Sequence, residues 1–135
     1  MATMNIRLRS IPDTHAALGW AGGHTVVVDR APGKAGGMGL GFNGGELLGL
    51  AIGGCLCNDL QYVAAGMGIE IASIEVDVEV SFSGVPLLAT HAAVRVQVTA
   101  TDSQADVDAL IERATADSTV SNSIQRGVTV EVARA

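Results

Sequence analysis

NGGELLGLAIGGCLCNDLQYVAA, running from Asn43 to Ala65, is the stretch on which the fold turns. Asn43 is followed three residues later by Glu46, the spacing of a capping box, in which each side chain bonds the other residue's backbone N–H at a helix start. The segment predicts a helix from Asn43 or Gly44 to about Ala65, stopping at Gly66 or Gly68. Its interior glycines, Gly49, Gly53 and Gly54, each lower helix propensity by about 1 kcal/mol relative to Ala. A helix that keeps them and stays apolar on most faces is expected to be buried, its glycines letting another backbone come close. A dimer interface along the helix would account for both features.

Period-two patterns flank this helix. In MNIRLRS, Ile6 and Leu8 alternate with Asn5, Arg7 and Arg9, as in a half-buried strand. His15 to Trp20 reads as a short second strand, and GGHTVVVDR as a third, bounded by Gly22-Gly23 and by Asp29, Pro32 and Gly33. Beyond the helix, IEIASIEVDVEVSF sets Ile74, Val76, Val78 and Val80 against Glu75, Asp77, Glu79 and Ser81. SGVP turns the chain, and LLATHAAVRVQVTAT resumes with Val94, Val96 and Val98 inward, giving an antiparallel hairpin with one wet face. DSQADVDALIERATADST predicts a second helix, capped by Asp102 or Ser103, with Val107, Leu110, Ile111 and Ala114 on one stripe. VTVEVAR is expected to close the chain as a last strand. The reading is one α+β domain over residues 1–135: antiparallel strands, a long buried central helix and an amphipathic covering helix.

Composition limits the function classes. Hydrophobic residues make up 48% of the 135 and charged ones 16%, which excludes a disordered chain. Eight basic against fourteen acidic residues give a net charge of -6, a sign that repels phosphate backbones and anionic membrane surfaces. Nucleic acid and membrane are therefore not expected partners. The low-charge run Leu47 to Leu60 falls short of the roughly 20 residues of a membrane span. MATMNIRLRS is not a signal segment, so a cytoplasmic location is expected, where two cysteines are more often free thiols than a disulfide. The glycine-rich APGKAGGMGLGFNGG invites a phosphate-cradle reading. Its Lys34 precedes the glycines, no hydroxyl follows, and Gly37, Gly39 and Gly41 fall at every second residue, so a flexible or close-packed surface loop is expected.

Cys55 and Cys57 lie two apart on the central helix, so their side chains point about 200° apart. They can neither share one metal ion nor bridge without unwinding the helix. C-x-C alone is a weak metal signal, and His15, His24 and His91 stand singly, so no metal and no cofactor is expected. Cys57 shares its side with Leu50, Gly53 and Ala64 and reads as core filler. Cys55 shares its side with Leu48, Ile52, Asp59 and Tyr62, a rim where a pocket could open. An acid beside a thiol works against the thiolate, so a reactive Cys55 would need an activating cation.

The order of elements, HTVVVD with its glycine-rich loop, GGELLGLAIGGC and GIEIASIEVDVEVSF together resemble the osmotically inducible and organic-hydroperoxide-resistance proteins, the OsmC/Ohr superfamily, in its OsmC-like branch. That resemblance implies an intertwined homodimer with buried central helices and two sites at the subunit interface. It places Cys55 on the peroxide-attacking cysteine, with a second cysteine opening a Cys-Pro-Val-Ser-Asn-like segment to resolve the sulfenic acid as a disulfide. Here that segment reads STVSN: Ser118 stands in the resolving position and Thr119 in the proline position. The active-site glutamate position is Gly45, next to Glu46, which also reads as a helix N-terminal acid. The activating arginine has no match; Arg7, Arg9 and Arg30 read as solvated.

The function expected from this is a one-cysteine reduction of organic hydroperoxides, with Cys55 as nucleophile and an external thiol as reductant. Tyr62 is a candidate proton donor, Ser118 a candidate for polar support, and Glu46 a weaker site candidate. The competing expectation is a non-catalytic homodimer that holds a small apolar molecule at its interface, with Cys55 as a lining residue.

Overall fold

The computed structural model describes all 135 residues, which divide into two compact units, Met1–Leu48 and Gly49–Ala135. The first unit is a three-stranded antiparallel meander, β1 (Ile6–Ser10), β2 (Ala17–Ala21) and β3 (His24–Val28), in that order across the sheet. Ala21 pairs with His24, leaving Gly22-Gly23 as a two-residue turn. Gly22 sits at φ +58°, the positive value that this kind of tight hairpin demands at its first central position.

The glycine-rich loop is close-packed. Phe42 donates to the Val27 carbonyl and Asp29 N–H to the Phe42 carbonyl, both at 3.0 Å, so the loop returns alongside β3. Asp29 is buried, and its carboxylate accepts the backbone N–H groups of Arg30 (2.8 Å), Met38 (3.0 Å) and Leu40 (2.9 Å). A loop of this composition has no side chains with which to hold itself, and this one acid supplies the missing acceptors. The Leu40 N–H most of all, then those of Met38 and Arg30 and the Arg30 charge, hold the carboxyl below its ordinary range, while burial works the other way. A lowered folded-state value means the contribution is complete above the unfolded value, about pH 4, and is lost as pH falls through the folded one. Amide-exchange protection at Met38 and Leu40 is accordingly expected to be flat above about pH 5 and to fall away below about pH 4. Asp29→Asn should show weaker protection at both amides with no such step.

The helix α1 (Gly44–Met67) starts where the capping box places it. Asn43 N–H donates to the Glu46 carboxylate at 3.0 Å, and Glu46 N–H to the Asn43 side chain at 2.9 Å. In the second unit, β4 (Ile71–Ser83) and β5 (Leu88–Ala100) form the expected antiparallel hairpin, with Ile74 opposite Val98 and Val76 opposite Val96. Ile74, Val76, Val78 and Val80 are half-buried, and the acids between them are exposed. The core joins Leu56, Leu60 and Ala64 of α1 to Val98 of β5 and to Leu110 and Ala114 of α2 (Val107–Asp117). Gly53 faces β4, where an added Cβ would lie 3.0 Å from Val78 Cγ2, a side chain rather than the backbone approach expected of the glycine.

Four expectations change. α1 is buried on one face only: Ile52, Gly53, Leu56, Leu60 and Ala64 are covered, whereas Leu50 and Tyr62 are exposed. Its 24 residues are also long and apolar enough, by length and composition alone, to cross a membrane, beyond the shorter run read from the sequence. α2 is capped by Asp106, which accepts the Ala109 N–H at 3.0 Å; Asp102 instead accepts the Gln104 N–H in a preceding turn. A third helix, α3 (Thr119–Arg126), occupies STVSN and the residues after it, and VTVEVAR forms no strand. Val128, Val130 and Val132 are 66%, 80% and 93% exposed, because alternation supplies a strand's side chains but not the neighbouring strand that would bond its backbone.

Candidate functional site

Side chains four apart on a helix share a face. On α1 this brings Cys55 against Asp59: the thiol Sγ donates to Asp59 Oδ2 at 3.4 Å. Both residues are half-buried, within reach of the core without being sealed by it. Both cysteines are free thiols. Cys57 is also half-buried, so it is less enclosed than core filler would be. No guanidinium or ammonium neutralises Asp59, since the chain's single ion pair joins Arg30 to Asp29 at 3.4 Å. The activating cation that a thiolate would want is not supplied by a salt bridge to this acid.

The other candidate residues take separate places. Tyr62, the candidate proton donor, is 76% exposed in the single chain. Glu46 is committed to the helix cap, with its carboxylate on the Asn43 N–H. Arg30 is exposed, as read, while it donates to the His15 carbonyl and pairs with Asp29 beside the loop. Arg7 and Arg9 are exposed on β1.

Ser118 is the unusual one. It joins α2 to α3, donating its N–H to the Thr115 carbonyl at 3.4 Å and accepting the Asn122 N–H at 3.0 Å with its own carbonyl. The residue is 1% exposed, yet its Oγ has no hydrogen-bond partner and does not cap α3. Most buried polar side-chain atoms are paired, so an orphaned hydroxyl here costs stability rather than adding to it. No pattern in the sequence announces this burial, since Ser118 lies at a junction between two helices and on no apolar stripe. Asp29 was likewise missed as an organising residue, although an acid at a strand end before a glycine-rich loop is the kind of residue that collects loop N–H groups.

A family model described as OsmC-like protein matches residues 36–133, which takes in α1, the β4–β5 hairpin, α2, α3 and most of the tail. The chain belongs to the OsmC-like family. Solved structures repeat the α+β arrangement of this OsmC-like chain. An OsmC-like protein of unknown function from Vibrio cholerae superposes with a TM-score of 0.79 at 12% identity, covering 91% of this chain and 94% of that one. An OsmC-like protein from Mycoplasma pneumoniae gives 0.77 at 15% identity, with 92% and 88% covered. An organic hydroperoxide resistance protein OsmC from Legionella pneumophila gives 0.64 at 20% identity, with 93% and 90% covered. At these identities the likeness is one of fold. A search of curated proteins finds no match.

Proposed function

We propose that this OsmC-like chain reduces organic hydroperoxides with Cys55 as its one working thiol. The observation that carries the reading is the half-buried free thiol of Cys55 on the central helix of an OsmC-like protein, held by a carboxylate at 3.4 Å. Structural neighbours described as organic hydroperoxide resistance proteins, such as that from Legionella pneumophila, lend it support. Sulfur attacks the terminal peroxide oxygen, the O–O bond breaks, and the products are a sulfenic acid on Cys55 and an alcohol. With serine at position 118, an external thiol condenses with the sulfenic acid, releasing water, and a second thiol restores Cys55 by disulfide exchange. In this reading residues 1–135 act as one domain in the cytoplasm, and two copies of the chain form the working unit. The exposed apolar residues Leu50, Val128, Val130 and Val132 favour that assembly.

The test is direct. Pure protein treated with one equivalent of tert-butyl hydroperoxide should gain a single oxygen, mapped by mass spectrometry to Cys55. The modification should be absent in Cys55→Ser. Oxidation no faster than that of a free model thiol would sink the reading. In that case the second one gains, in which the same exposed apolar surface holds a small apolar molecule between two copies without chemistry.

A further inference from the structure

We propose that Asp59 is the proton relay of the Cys55 reaction, taking the thiol proton as sulfur attacks and delivering it to the departing alkoxide. The inference rests on the hydroperoxide reading of Cys55 and adds a residue to it.

The reaction sets the requirement. A thiol that attacks a hydroperoxide must lose a proton, and an alkoxide is a poor leaving group unless it gains one. A single carboxylate that accepts the first proton and returns it to the second oxygen meets both needs and ends unchanged. In atoms, the Sγ–H bond of Cys55 breaks toward Asp59 Oδ2 while an S–O bond forms to the terminal OH oxygen. The O–O bond breaks, and the alkoxide leaves with the bonding pair and takes the proton from Asp59. Sulfur is oxidised by two electrons, the peroxide is reduced to the alcohol, and no further reactant enters.

Asp59 alone is placed for this. Its Oδ2 already accepts the Sγ hydrogen bond at 3.4 Å, so the first transfer runs along an existing contact. The other acids near the start of α1 are occupied: Glu46 holds the Asn43 N–H, and Asp29 holds three loop amides and Arg30. The hydroxyl of Tyr62 belongs to a residue 76% exposed, and that of Ser118 is buried without an acceptor through which it could release its proton. No salt bridge engages the Asp59 carboxylate, so the thiol is its recorded partner.

The experiment compares two oxidants on the full chain. The alkoxide that leaves tert-butyl hydroperoxide needs a proton; the carboxylate that leaves a peroxyacid does not. Asp59→Asn keeps the size and an acceptor oxygen but cannot carry the proton. Its rate of Cys55 oxidation by tert-butyl hydroperoxide should fall about 100-fold and its rate with peroxyacetic acid only about tenfold, because the thiol proton loses its acceptor with both oxidants while only the alkoxide also loses its donor. Mere displacement of Cys55 would slow both oxidants alike, so equal losses overturn the relay, as does an unchanged rate with tert-butyl hydroperoxide. Wild-type protein supplies a second measurement that needs no variant. Its rates across alkyl hydroperoxides should depend only weakly on the acidity of the alcohol released, and a steep dependence overturns the relay. Failure of wild-type Cys55 to react with either oxidant removes the hydroperoxide reading itself, a different result from a reactive Cys55 indifferent to Asp59.

Discussion

Ser118→Cys is expected to raise stability and to change what a hydroperoxide leaves on the protein. The first effect follows from the structure. Ser118 is 1% exposed with an unpartnered Oγ, and an unsatisfied buried hydroxyl costs about 1–3 kcal/mol. A thiol of nearly the same shape is a small hydrophobe with a weak donor, so burying it without a partner costs less. The gain should be about 1 kcal/mol, read as a higher urea midpoint at unchanged m-value. The second effect is expected if position 118 takes the resolving place, as the resemblance of STVSN to that segment implies. In wild type, one equivalent of hydroperoxide should leave a sulfenic acid on Cys55 that a dimedone probe captures. In the variant the introduced thiol should condense with it, consuming two thiols and leaving one disulfide and no dimedone adduct. A sulfenic acid that stays open to the probe in the variant would remove position 118 from the resolving role, while the stability gain would still be judged by itself.

Val130→Asp should be far more damaging than its surroundings in one chain suggest. Val130 is 80% exposed, and substitutions at such positions usually move stability by less than about 0.5 kcal/mol. Val128, Val130 and Val132, however, keep the spacing of a strand face, and the β4–β5 sheet has only two strands, so each of its strands has an unpaired edge. If a second copy provides the missing neighbour, Val130 is buried in the assembly and an aspartate there meets an apolar layer without a counter-charge, at several kcal/mol. Stability of the wild-type dimer should then grow by about 1.4 kcal/mol for each tenfold rise in protein concentration above its dissociation constant, so its melting point climbs with concentration. Val130→Asp should sediment as a single chain and lose most of that dependence. Melting that ignores concentration in wild type, together with a silent Val130→Asp, would end the two-copy reading.

The parts of the fold that were legible in the sequence are those decided by near neighbours. The Asn43–Glu46 cap needs two side chains three residues apart, and the structure forms it. The β4–β5 hairpin needs an alternation long enough to fix its register, and thirteen residues on each strand provide one. What was missed depends on packing at a distance or on competition between close neighbours. Asp106 rather than Asp102 caps α2 because Asp102 is drawn into a turn with Gln104, a local competition between two acids that pattern alone does not settle. α3 carries few apolar residues and has no fully buried one, so no stripe announces it. VTVEVAR has a strand's alternation but forms no strand, because a strand exists only with a partner. At the candidate site the shared face of Cys55 and Asp59 was visible from spacing, whereas the burial of Ser118, the exposure of Tyr62 and the engagement of Arg30 were not.

The glycines separate into two populations that differ in mutational freedom. At Gly41 a Cβ would overlap the carbonyl of Val27, the same oxygen that receives the Phe42 N–H, and at Gly37 it would stand 2.5 Å from the Ala31 oxygen. Backbone cannot step aside as a flexible side chain can, so these positions are closed to every other residue while the loop keeps its path. At Gly44, Gly54 and Gly66 nothing lies within 4 Å of the same hypothetical atom. Within one copy of the chain those sites are open to alanine, which helices prefer. Tolerance at the first group is thus set by the chain's own loop, and tolerance at the second by whatever comes to lie against α1.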